Sequence, residues 1–475
     1  MAFEISFVHI AALAVFYLAA AACVVHAIMD TRTAQGAVAW IIGLISFPFI
    51  VMPLYLLIGR RKFQGYVTAR QLSLQELRRI DPLGQLLDRT QRGDPQHDDL
   101  VALEALTRLP FTKGNAATLL IDGEATFDAI FKGIDQAQDY VLVQFYILRD
   151  DGLGRRLADC LKRATARGVS VHLLYDEIGS SRTRKAFWMD LRDAGIAVSS
   201  FNSTRRRFQP WQINFRNHRK IVVIDGREAF VGGHNVGDEY LGLDLDHGHW
   251  RDTHVAVRGP IVTSCQAAFA EDWYWATEQR LELVWGLEAS AEEDRRALVL
   301  ASGPADRLET AALFFGQLIA TAEERLWLVS PYFVPDHAIL ASLQLAALRG
   351  VDVRIILPND PDHLVVWLAS FSFLKEAGKT GIKFYCYTGG FLHQKVALVD
   401  DHLASIGTVN LDNRSLRLNF EITLLFDDRD FAKQVEAMLL ADLQHCRLYD
   451  DSELARRSWF FRFGSRAARL AAPLL

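Results

Sequence analysis

The chain repeats itself, and this repeat constrains the fold more than any other feature of the sequence. The first copy runs from "YVLVQFYILRDDG" at 140–152 through "RGVSVHLLYDE" to "NHRKIVVIDGREAFVGGHN" at 217–235. The second runs from "LWLVSPYFVPD" at 326–336 through "RGVDVRIILPND" to "LHQKVALVDDHLASIGTVN" at 392–410. In both copies strand-like apolar runs alternate with helical stretches, a pattern typical of α/β layers. Several segments repeated in the same order predict two similar α/β domains.

Two long apolar runs precede the repeat. Segments 5–29 and 36–59 contain no charged residue, and each is long enough to cross a bilayer core, which takes about 20 residues. The initial "MAFE" lacks the basic start of a cleavable signal, so both runs are predicted to be transmembrane helices. Pro48 and Pro53 are expected to kink the second helix. The basic "RRK" at 60–62 predicts that the rest of the chain lies on the cytoplasmic side.

The sequence predicts five parts. They are a two-span membrane anchor at 1–62, a linker at 63–110, α/β domains at 111–285 and 286–450, and a basic amphipathic tail at 451–475. The last twenty residues contain five arginines, no acid and several aromatic residues. This composition suits either a helix lying on anionic lipid or a frayed basic tail. The five cysteines form no close pair, so they indicate neither a zinc site nor a disulfide framework.

Each copy of the repeat carries the same polar motif at the same spacing. The members are His218, Lys220, Asp225, Gly233 and Asn235 in the first copy, and His393, Lys395, Asp400, Thr408 and Asn410 in the second. Alternation along a strand places the histidine and the lysine of each copy on one face. The aspartate has the opposite parity, and in the first copy it begins the turn signal "DG". We therefore expect both aspartates to fix turns more than to act directly.

These residue types suit the transfer of a phosphodiester group without a metal or another cofactor. One histidine can attack phosphorus while the other protonates the departing alcohol. The lysines and asparagines, with the small residues Gly233 and Thr408, can form a site for the non-bridging oxygens. A carboxylate bonded to each histidine would fix its tautomer, and each half offers one downstream, Asp252 in "WRDTH" and Glu421 in "NRSLRLNFEI". A solvated hairpin could explain either motif alone, but not two matched ones.

The paired motif resembles the duplicated HxKxxxxD signature of the phospholipase D superfamily. The segments "RTAQGAVAWIIGLISFPFIVMPLYLLIGR", "GGHNVGDEY", "WRDTHVAVRGP" and "NLDNRSLRLNFE" are similar to its bacterial cardiolipin synthase branch, so the resemblance covers nearly the whole chain. It implies two α/β domains, each a mixed sheet flanked by helices, that share one active site. It also implies phosphatidyl transfer between two phosphatidylglycerol molecules, giving cardiolipin and glycerol through a phosphohistidine at His218. The implied setting is the inner membrane, with anionic lipid as the partner.

Two positions depart from the superfamily pattern. Thr408 stands where a serine or a glycine is usual, and Gln144 stands where many relatives have an acid. The threonine is a mild departure. The glutamine puts any acid role at position 144 in doubt.

Other functions remain open at this stage. A membrane-bound hydrolase or transphosphatidylase would use the same site with a different acceptor. A nuclease is a weaker alternative, supported by the basic, aromatic segment 205–220 and opposed by the two membrane spans and the net charge of -5, so no nucleic-acid partner is expected. A non-enzymatic scaffold would predict the decay of one motif. His247 and His249 in "DLDHGHW" are only a weak metal site because no third ligand accompanies them.

Overall fold

The computed structural model describes most of the chain. The described residues are 7–30, 34–59, 100–107, 109–201, 215–243, 248–286, 288–290, 292–360, 362–450 and 452–475. Most of the predicted linker at 63–110 lies outside them, as do the basic residues 60–62, residues 205–214 of the basic segment, and His247. The chain divides into two compact units, one formed by 1–65 with 205–215 and the other by 66–204 with 216–475.

The N-terminal unit is built from apolar helices. They are α1 (Phe7–Asp30), α2 (Ala34–Ser46) and α3 (Pro48–Leu54), and a π-helical turn follows at Tyr55–Gly59. Ala12–Met29 is the one segment of the described residues that is long and apolar enough to cross a membrane as a single helix. The second apolar run is interrupted at Phe47, because proline disfavours helical geometry in the residue before it. The predicted kink is therefore a full break between two short helices.

The larger unit holds both copies of the repeat. The strands of the first copy are β1 (Thr112–Ile121), β2 (Tyr140–Phe145), β3 (Ser170–Tyr175), β4 (Ala197–Ser200), β5 (Arg216–Asn217), β6 (Ile221–Ile224), β7 (Glu228–Gly232), β8 (Trp250–Arg251) and β9 (Thr253–Arg258). The strands of the second copy are β10 (Arg295–Ser302), β11 (Arg325–Val329), β12 (Phe333–Val334), β13 (Asp352–Pro358), β14 (Lys383–Tyr387), β15 (Phe391–Leu392), β16 (Val396–Val399), β17 (Leu403–Gly407), β18 (Leu411–Asp412), β19 (Asn419–Asp427) and β20 (Cys446–Leu448).

Helices connect these strands. In the first half they are α4 (Val101–Thr107), α5 (Asp122–Gln136), α6 (Gly152–Ala166), α7 (Lys185–Asp193) and α8 (Ile261–Thr277), with a 3₁₀ turn at Asp238–Leu241. In the second half they are α9 (Thr310–Thr321), α10 (His337–Leu348), α11 (Leu364–Gly378), α12 (Asn413–Arg417), α13 (Arg429–Gln444), α14 (Glu453–Arg456) and α15 (Trp459–Arg469), with a 3₁₀ turn at Ala472–Leu474. Of the two structures that the sequence allowed for the C-terminal segment, a helix and a frayed tail, the chain forms the helix α15.

The two halves have the same sheet order, except that the second has one additional edge strand, β20. The order runs β1-β9-β7-β6-β2-β3-β4 in the first half and β10-β19-β17-β16-β11-β13-β14-β20 in the second. In each half one group of strands is parallel and another antiparallel, as in β2 with β3 and β2 with β6. β1 pairs antiparallel with β10, so the two sheets continue into one another. The prediction of two similar mixed α/β domains flanked by helices is confirmed.

Equivalent local signals form equivalent elements in the two halves. The aspartates Asp151 and Asp336 begin α6 and α10, and their side chains accept hydrogen bonds from the amides of Gly154 and Ile339 at 3.0 and 2.7 Å. Such caps satisfy amide donors that the first helical turn leaves unpaired. The strands β2 and β11, which precede these helices, are almost wholly buried, as expected for central strands covered on both faces. The repeat in the sequence is thus a repeat of βαβ units.

Candidate active site

Two short strands leave their own half and pair with the other one. The strand β5 runs parallel to the start of β19, and β15 runs parallel to β8. The next amide in each case extends the pairing, because His218 N donates to Phe420 O at 2.9 Å and His393 N donates to Arg251 O at 2.8 Å. The backbone of each motif histidine is therefore held by the opposite half of the molecule.

This pairing corrects the predicted strand position. The sequence predicts one strand over the whole run from 217, whereas β6 begins only at Ile221 and β16 only at Val396. The histidines and lysines lie just before these strands because their backbone is crossing from one half to the other. The expected common face still holds for the first pair, since Tyr146 lies 5.0 Å from the His218 ring and 5.5 Å from Lys220 Nζ, measured to its ring centroid.

Each histidine is hydrogen-bonded to a carboxylate of the opposite half. His218 Nδ1 lies 2.8 Å from Glu421 Oε2, and His393 Nδ1 lies 2.7 Å from Asp252 Oδ2. Both acids are buried. The sequence offers one acid in each half for the histidine of that half, and the structure exchanges the partners. Because Nδ1 is engaged in both rings, Nε2 is the nitrogen left for chemistry.

The site keeps both imidazoles neutral near pH 7 before a substrate binds. Burial, opposed by Glu421, lowers the pKa of His218 to about 4. Burial and the nearby Lys395 and Lys220 lower the pKa of His393 well below its usual value, and His218 contributes to the same shift. The two histidines therefore belong to one electrostatic cluster. A neutral imidazole is the form that can act as a nucleophile or a base.

The two motif lysines are buried beneath the histidines. Lys220 Nζ donates to the carbonyl of His218 at 2.7 Å, and Lys395 Nζ donates to the carbonyl of His393. Burial lowers the pKa of Lys395 to about 8 and that of Lys220 well below its usual value. An anionic phosphate would favour the charged form of both lysines, because an opposite charge nearby stabilises it. This arrangement suits the binding of an anion.

The motif aspartates lie in turns. Asp225 and Asp400 have positive φ angles of 51° and 49°, a conformation that aspartate tolerates better than most residues. The Asp225 carboxylate accepts hydrogen bonds from the amides of residues 138–140, and the Asp400 carboxylate from those of residues 323–325. Each aspartate thus ties the turn after β6 or β16 to the start of β2 or β11, as parity suggested.

Gly233 and Thr408 lie against the two acids. A side chain at Gly233 would place its Cβ 2.0 Å from Asp252 Oδ1, so the carboxylate occupies the space that a side chain would need. In the second half, the Thr408 hydroxyl donates to the carbonyl of Ile422 at 3.2 Å, one residue after Glu421. The Thr408 hydroxyl also accepts from the amide of Ile422 at 2.9 Å. The threonine therefore holds the backbone of β19 next to Glu421.

The two motif asparagines differ in their contacts. Asn235 accepts from the amide of Ile147 at 3.1 Å and donates to the Tyr240 hydroxyl at 2.6 Å. Tyr240 in turn lies 6.0 Å from the ring of His393. The Asn410 Oδ1 atom is buried without a hydrogen-bond partner among the described residues. Asn235 thus supports the wall of the site, since both of its polar groups are engaged.

A buried ion pair that the sequence did not reveal supports His218. Arg219 lies between the motif histidine and lysine, is fully buried, and donates to Asp272 Oδ1 at 2.9 Å. Gln144 and Asn217 donate to Asp272 Oδ2 at 2.7 and 2.8 Å, so Asp272 supplies the acid that position 144 lacks. The sequence contained one signal for this ion pair. In an extended chain the side chain of Arg219 points away from those of His218 and Lys220.

The second half uses different residues at the equivalent place. Gln394 stands where the first half has Arg219, and it donates to Asp442 Oδ2 at 2.8 Å. The charge of Asp442 is balanced by Arg251, which lies 2.7 Å away and comes from the first half. In the first half, both members of the ion pair, Arg219 and Asp272, come from the same half. In the second half, Asp442 is paired with Arg251 from the first half.

A pair of buried histidines lies behind the first-half site. His234 Nδ1 lies 3.1 Å from His254 Nδ1. Burial lowers the pKa of each to about 3, so both rings are neutral near pH 7. His254 lies opposite Gly232 in the first sheet, and Thr423 lies opposite the equivalent Gly407 in the second. The second half therefore has threonine in place of His254.

The weak metal site of the sequence gains no support from the described residues. His249 Nε2 lies 3.1 Å from Asp122, while His247 is outside the described part of the chain. Among the described residues, no group of three or more metal-ligating side chains comes together.

Comparison with known proteins agrees with this geometry. The family described as "Cardiolipin synthase, PLD-like domain" matches residues 130–273 and 315–443, and the one described as "Phospholipase_D-nuclease N-terminal" matches 18–60. The chain is 47% identical over 457 residues to cardiolipin synthase A of Pseudomonas putida (strain W619), with 95% of each chain covered. It has the same identity and coverage with cardiolipin synthase A of Pseudomonas entomophila (strain L48).

The comparison with solved structures concerns the fold. The crystal structure of phosphatidylserine synthase from Haemophilus influenzae Rd KW20 matches with a TM-score of 0.58 and 16% sequence identity. The match covers 80% of this chain and 100% of that one. The similarity extends over both α/β halves.

Proposed function

The chain belongs to the cardiolipin synthase family with paired phospholipase D-like domains, and we propose that it joins two phosphatidylglycerol molecules into cardiolipin and glycerol. Members of this family are phosphatidyltransferases and associate with membranes. The observation that carries the proposal is the pair of neutral histidines, each bonded through Nδ1 to a buried carboxylate. This arrangement provides one nucleophile and one acid–base group.

In the first step, Nε2 of His218 attacks the phosphorus of one phosphatidylglycerol. A bond forms between nitrogen and phosphorus, and the bond between phosphorus and the headgroup glycerol oxygen breaks. His393 takes up a proton from solvent when the anionic substrate binds, and it gives this proton to the leaving oxygen. It can hold this proton because the bound phosphodiester and Asp252, 2.7 Å from its Nδ1, both stabilise the imidazolium.

In the second step, a headgroup hydroxyl of another phosphatidylglycerol attacks the phosphohistidine. His393, now neutral, takes the hydroxyl proton, and the bond between His218 and phosphorus breaks. The products are cardiolipin and glycerol, and both histidines return to their starting forms. Lys220 and Lys395 stabilise the additional negative charge on the phosphoryl oxygens in both steps.

The choice between transfer and hydrolysis depends on which acceptor reaches the phosphohistidine. A membrane-anchored site meets lipid hydroxyls at a high effective concentration. Our proposal therefore includes anchoring by both apolar runs in the inner membrane, with the α/β domains on the cytoplasmic side.

The test uses the purified full-length chain in vesicles of phosphatidylglycerol labelled in the headgroup glycerol and in the acyl chains. We expect one glycerol released for each cardiolipin formed. The variant His218→Ala with His393→Ala is the control for background reactions. Phosphatidic acid as the sole lipid product would identify the protein as a hydrolase and refute the proposal.

A further inference from the structure

The C-terminal helix α15 is firmly packed against α11 along one face. Phe461 lies 5.5 Å from Trp367 and 5.2 Å from Phe371 between ring centroids. The hydroxyls of Ser372 and Ser465 are 3.0 Å apart. These contacts account for the inner face of the helix and fix its rotation about its own axis.

The outer face of α15 is aromatic and exposed. Trp459 is 61% exposed, Phe460 79% and Phe463 59%. Trp459 and Phe463 lie about 40° apart around the helix, since an α-helix turns by 100° per residue, and their rings stack at 5.3 Å. Leu470, which follows the helix, is 84% exposed. Large aromatic side chains exposed side by side are unusual unless they contact another apolar phase.

Positive charge borders this aromatic face. Arg462 and Arg466 are one helical turn apart and exposed, and they form no ion pair within the described part of the chain. The helix itself contains no acidic residue. Arginines beside exposed tryptophan and phenylalanine match the composition of helices that lie at the surface of anionic bilayers.

The helix also adjoins a cavity. The cavity has a volume of about 160 Å³, and its lining includes Tyr332, Asp362, Trp367, Phe371 and Arg457. Asp362 accepts a hydrogen bond from the Tyr332 hydroxyl at 2.5 Å within this lining. The cavity lies beside α15, because Trp367 and Phe371, which line it, also contact Phe461.

We propose that the outer face of α15 inserts into the surface of an anionic phospholipid bilayer. Arg462 and Arg466 contact lipid phosphates while Trp459, Phe460 and Phe463 enter the interfacial region. In this position the cavity beside Tyr332 opens at the level of the lipid headgroups. The inner face, through Phe461, keeps the helix attached to the domain that carries His393.

The first experiment detects lipid contact directly. The full-length chain with a photoreactive benzoylphenylalanine at position 463 is reconstituted in phosphatidylglycerol vesicles, illuminated and analysed by mass spectrometry. The matched control carries the same residue at position 345, because Leu345 is 59% exposed on α10 of the same half. We expect lipid adducts at position 463 and few at position 345. Equal labelling at both positions, or crosslinks only to a second protein chain, would overturn the proposal.

The second experiment measures turnover against the mole fraction of phosphatidylglycerol in mixed micelles. We expect Phe460→Ser with Phe463→Ser to raise the half-saturating mole fraction about tenfold at an unchanged maximal rate, since interfacial partitioning of two aromatic side chains is lost. Arg462→Glu with Arg466→Glu should act in the same direction. Leu345→Ser with Leu348→Ser is the matched control, and an equal effect there would contradict the proposal. Photolabelling does not require turnover, so its result is independent of the proposed reaction.

Discussion

The two halves share a backbone frame but surround their histidines differently. Tyr146 lies near Arg216 and Arg414, which oppose the increase of its pKa by burial and by Asp176. The equivalent Tyr332 donates instead to Asp362 at 2.5 Å, and burial and Asp362 raise its pKa well above the usual value. The tyrosine of the first copy thus has two arginines near it, and the tyrosine of the second copy is bonded to an aspartate. Duplication thus preserved the frame that positions the histidines, while the groups around them diverged toward separate tasks.

The largest expected effect comes from removing either histidine. His218→Ala and His393→Ala should each lower turnover about 10⁴-fold, because one removes the nucleophile and the other the acid–base group. Substrate labelled at phosphorus separates the two roles, since only His393→Ala retains the residue that can carry the label. A phosphoenzyme mapped to His393 would reverse the assignment, and near-normal turnover in both variants would refute the mechanism.

The next effect concerns stability beneath the two histidines. Arg219→Leu leaves Asp272 buried without its cation and should lower the free energy of unfolding by about 3–5 kcal/mol. Gln394→Leu, the equivalent change in the second half, should cost about 1 kcal/mol, because Arg251 still neutralises Asp442. Chemical denaturation of the full-length chain in detergent measures both, and Arg219→Leu with Asp272→Leu should regain part of the loss. If both variants lost the same free energy of unfolding, the different ion pairs of the two halves would not matter for stability.

A third effect tests the exchange of the acids. Glu421→Gln and Asp252→Asn should each lower turnover about a hundredfold, as expected when a buried partner no longer orients a reactive histidine. Glu421→Gln should slow the formation of the phosphohistidine because Glu421 supports His218. Asp252→Asn should slow both the formation of the phosphohistidine and its transfer to the second lipid, because Asp252 supports His393, the acid of the first step and the base of the second. The opposite outcome in rapid-quench measurements would place each acid with the histidine of its own half.

Asp225→Asn is the matched control for these two acids. Its carboxylate bonds only backbone amides in the turn contacts described above, so the change should reduce thermal stability while the folded enzyme keeps most of its turnover. A hundredfold loss of turnover in this variant would assign the motif aspartate a direct role in catalysis.

The smallest effect concerns pH and the histidine pair of the first half. The pKa of His234 and His254 is about 3 when folded, and the usual value is about 6.5, so the unfolded chain binds more protons as the pH falls below 6.5. Stability is therefore complete above pH 6.5 and declines on acidification. His234→Val with His254→Thr introduces the residues of the second half, and the loss between pH 7 and pH 6 should shrink by about 1 kcal/mol. An unchanged pH dependence of unfolding would contradict this.

Local patterns in the sequence were sufficient for much of the fold. Strand alternation gave the common face of His218 and Lys220, and the turn signal gave the place of Asp225. Both follow from contacts within a few residues along the chain. The order of repeated segments also predicted the duplicated mixed sheet, because each βαβ unit forms mostly from its own residues.

Contacts between the halves could not be predicted in the same way. Nothing in the spacing of Asp252 or Glu421 shows which histidine each acid will meet, because β5 and β15 cross between the halves only in the folded chain. Asp272 was similarly hidden in "DWYW", which reads as an ordinary packed helix. The structure brings the predicted acids to the predicted histidines, but only the fold shows which acid meets which histidine.

Because each histidine is bonded to an acid of the opposite half, neither half alone contains a complete catalytic pair. A single α/β copy would hold a histidine without its acid and an acid without its histidine. Such a protein would become active only as a symmetric pair in which each subunit supplies the acid of the other. Joining two such copies in one chain makes that pairing permanent, so the surroundings of one histidine can differ from those of the other.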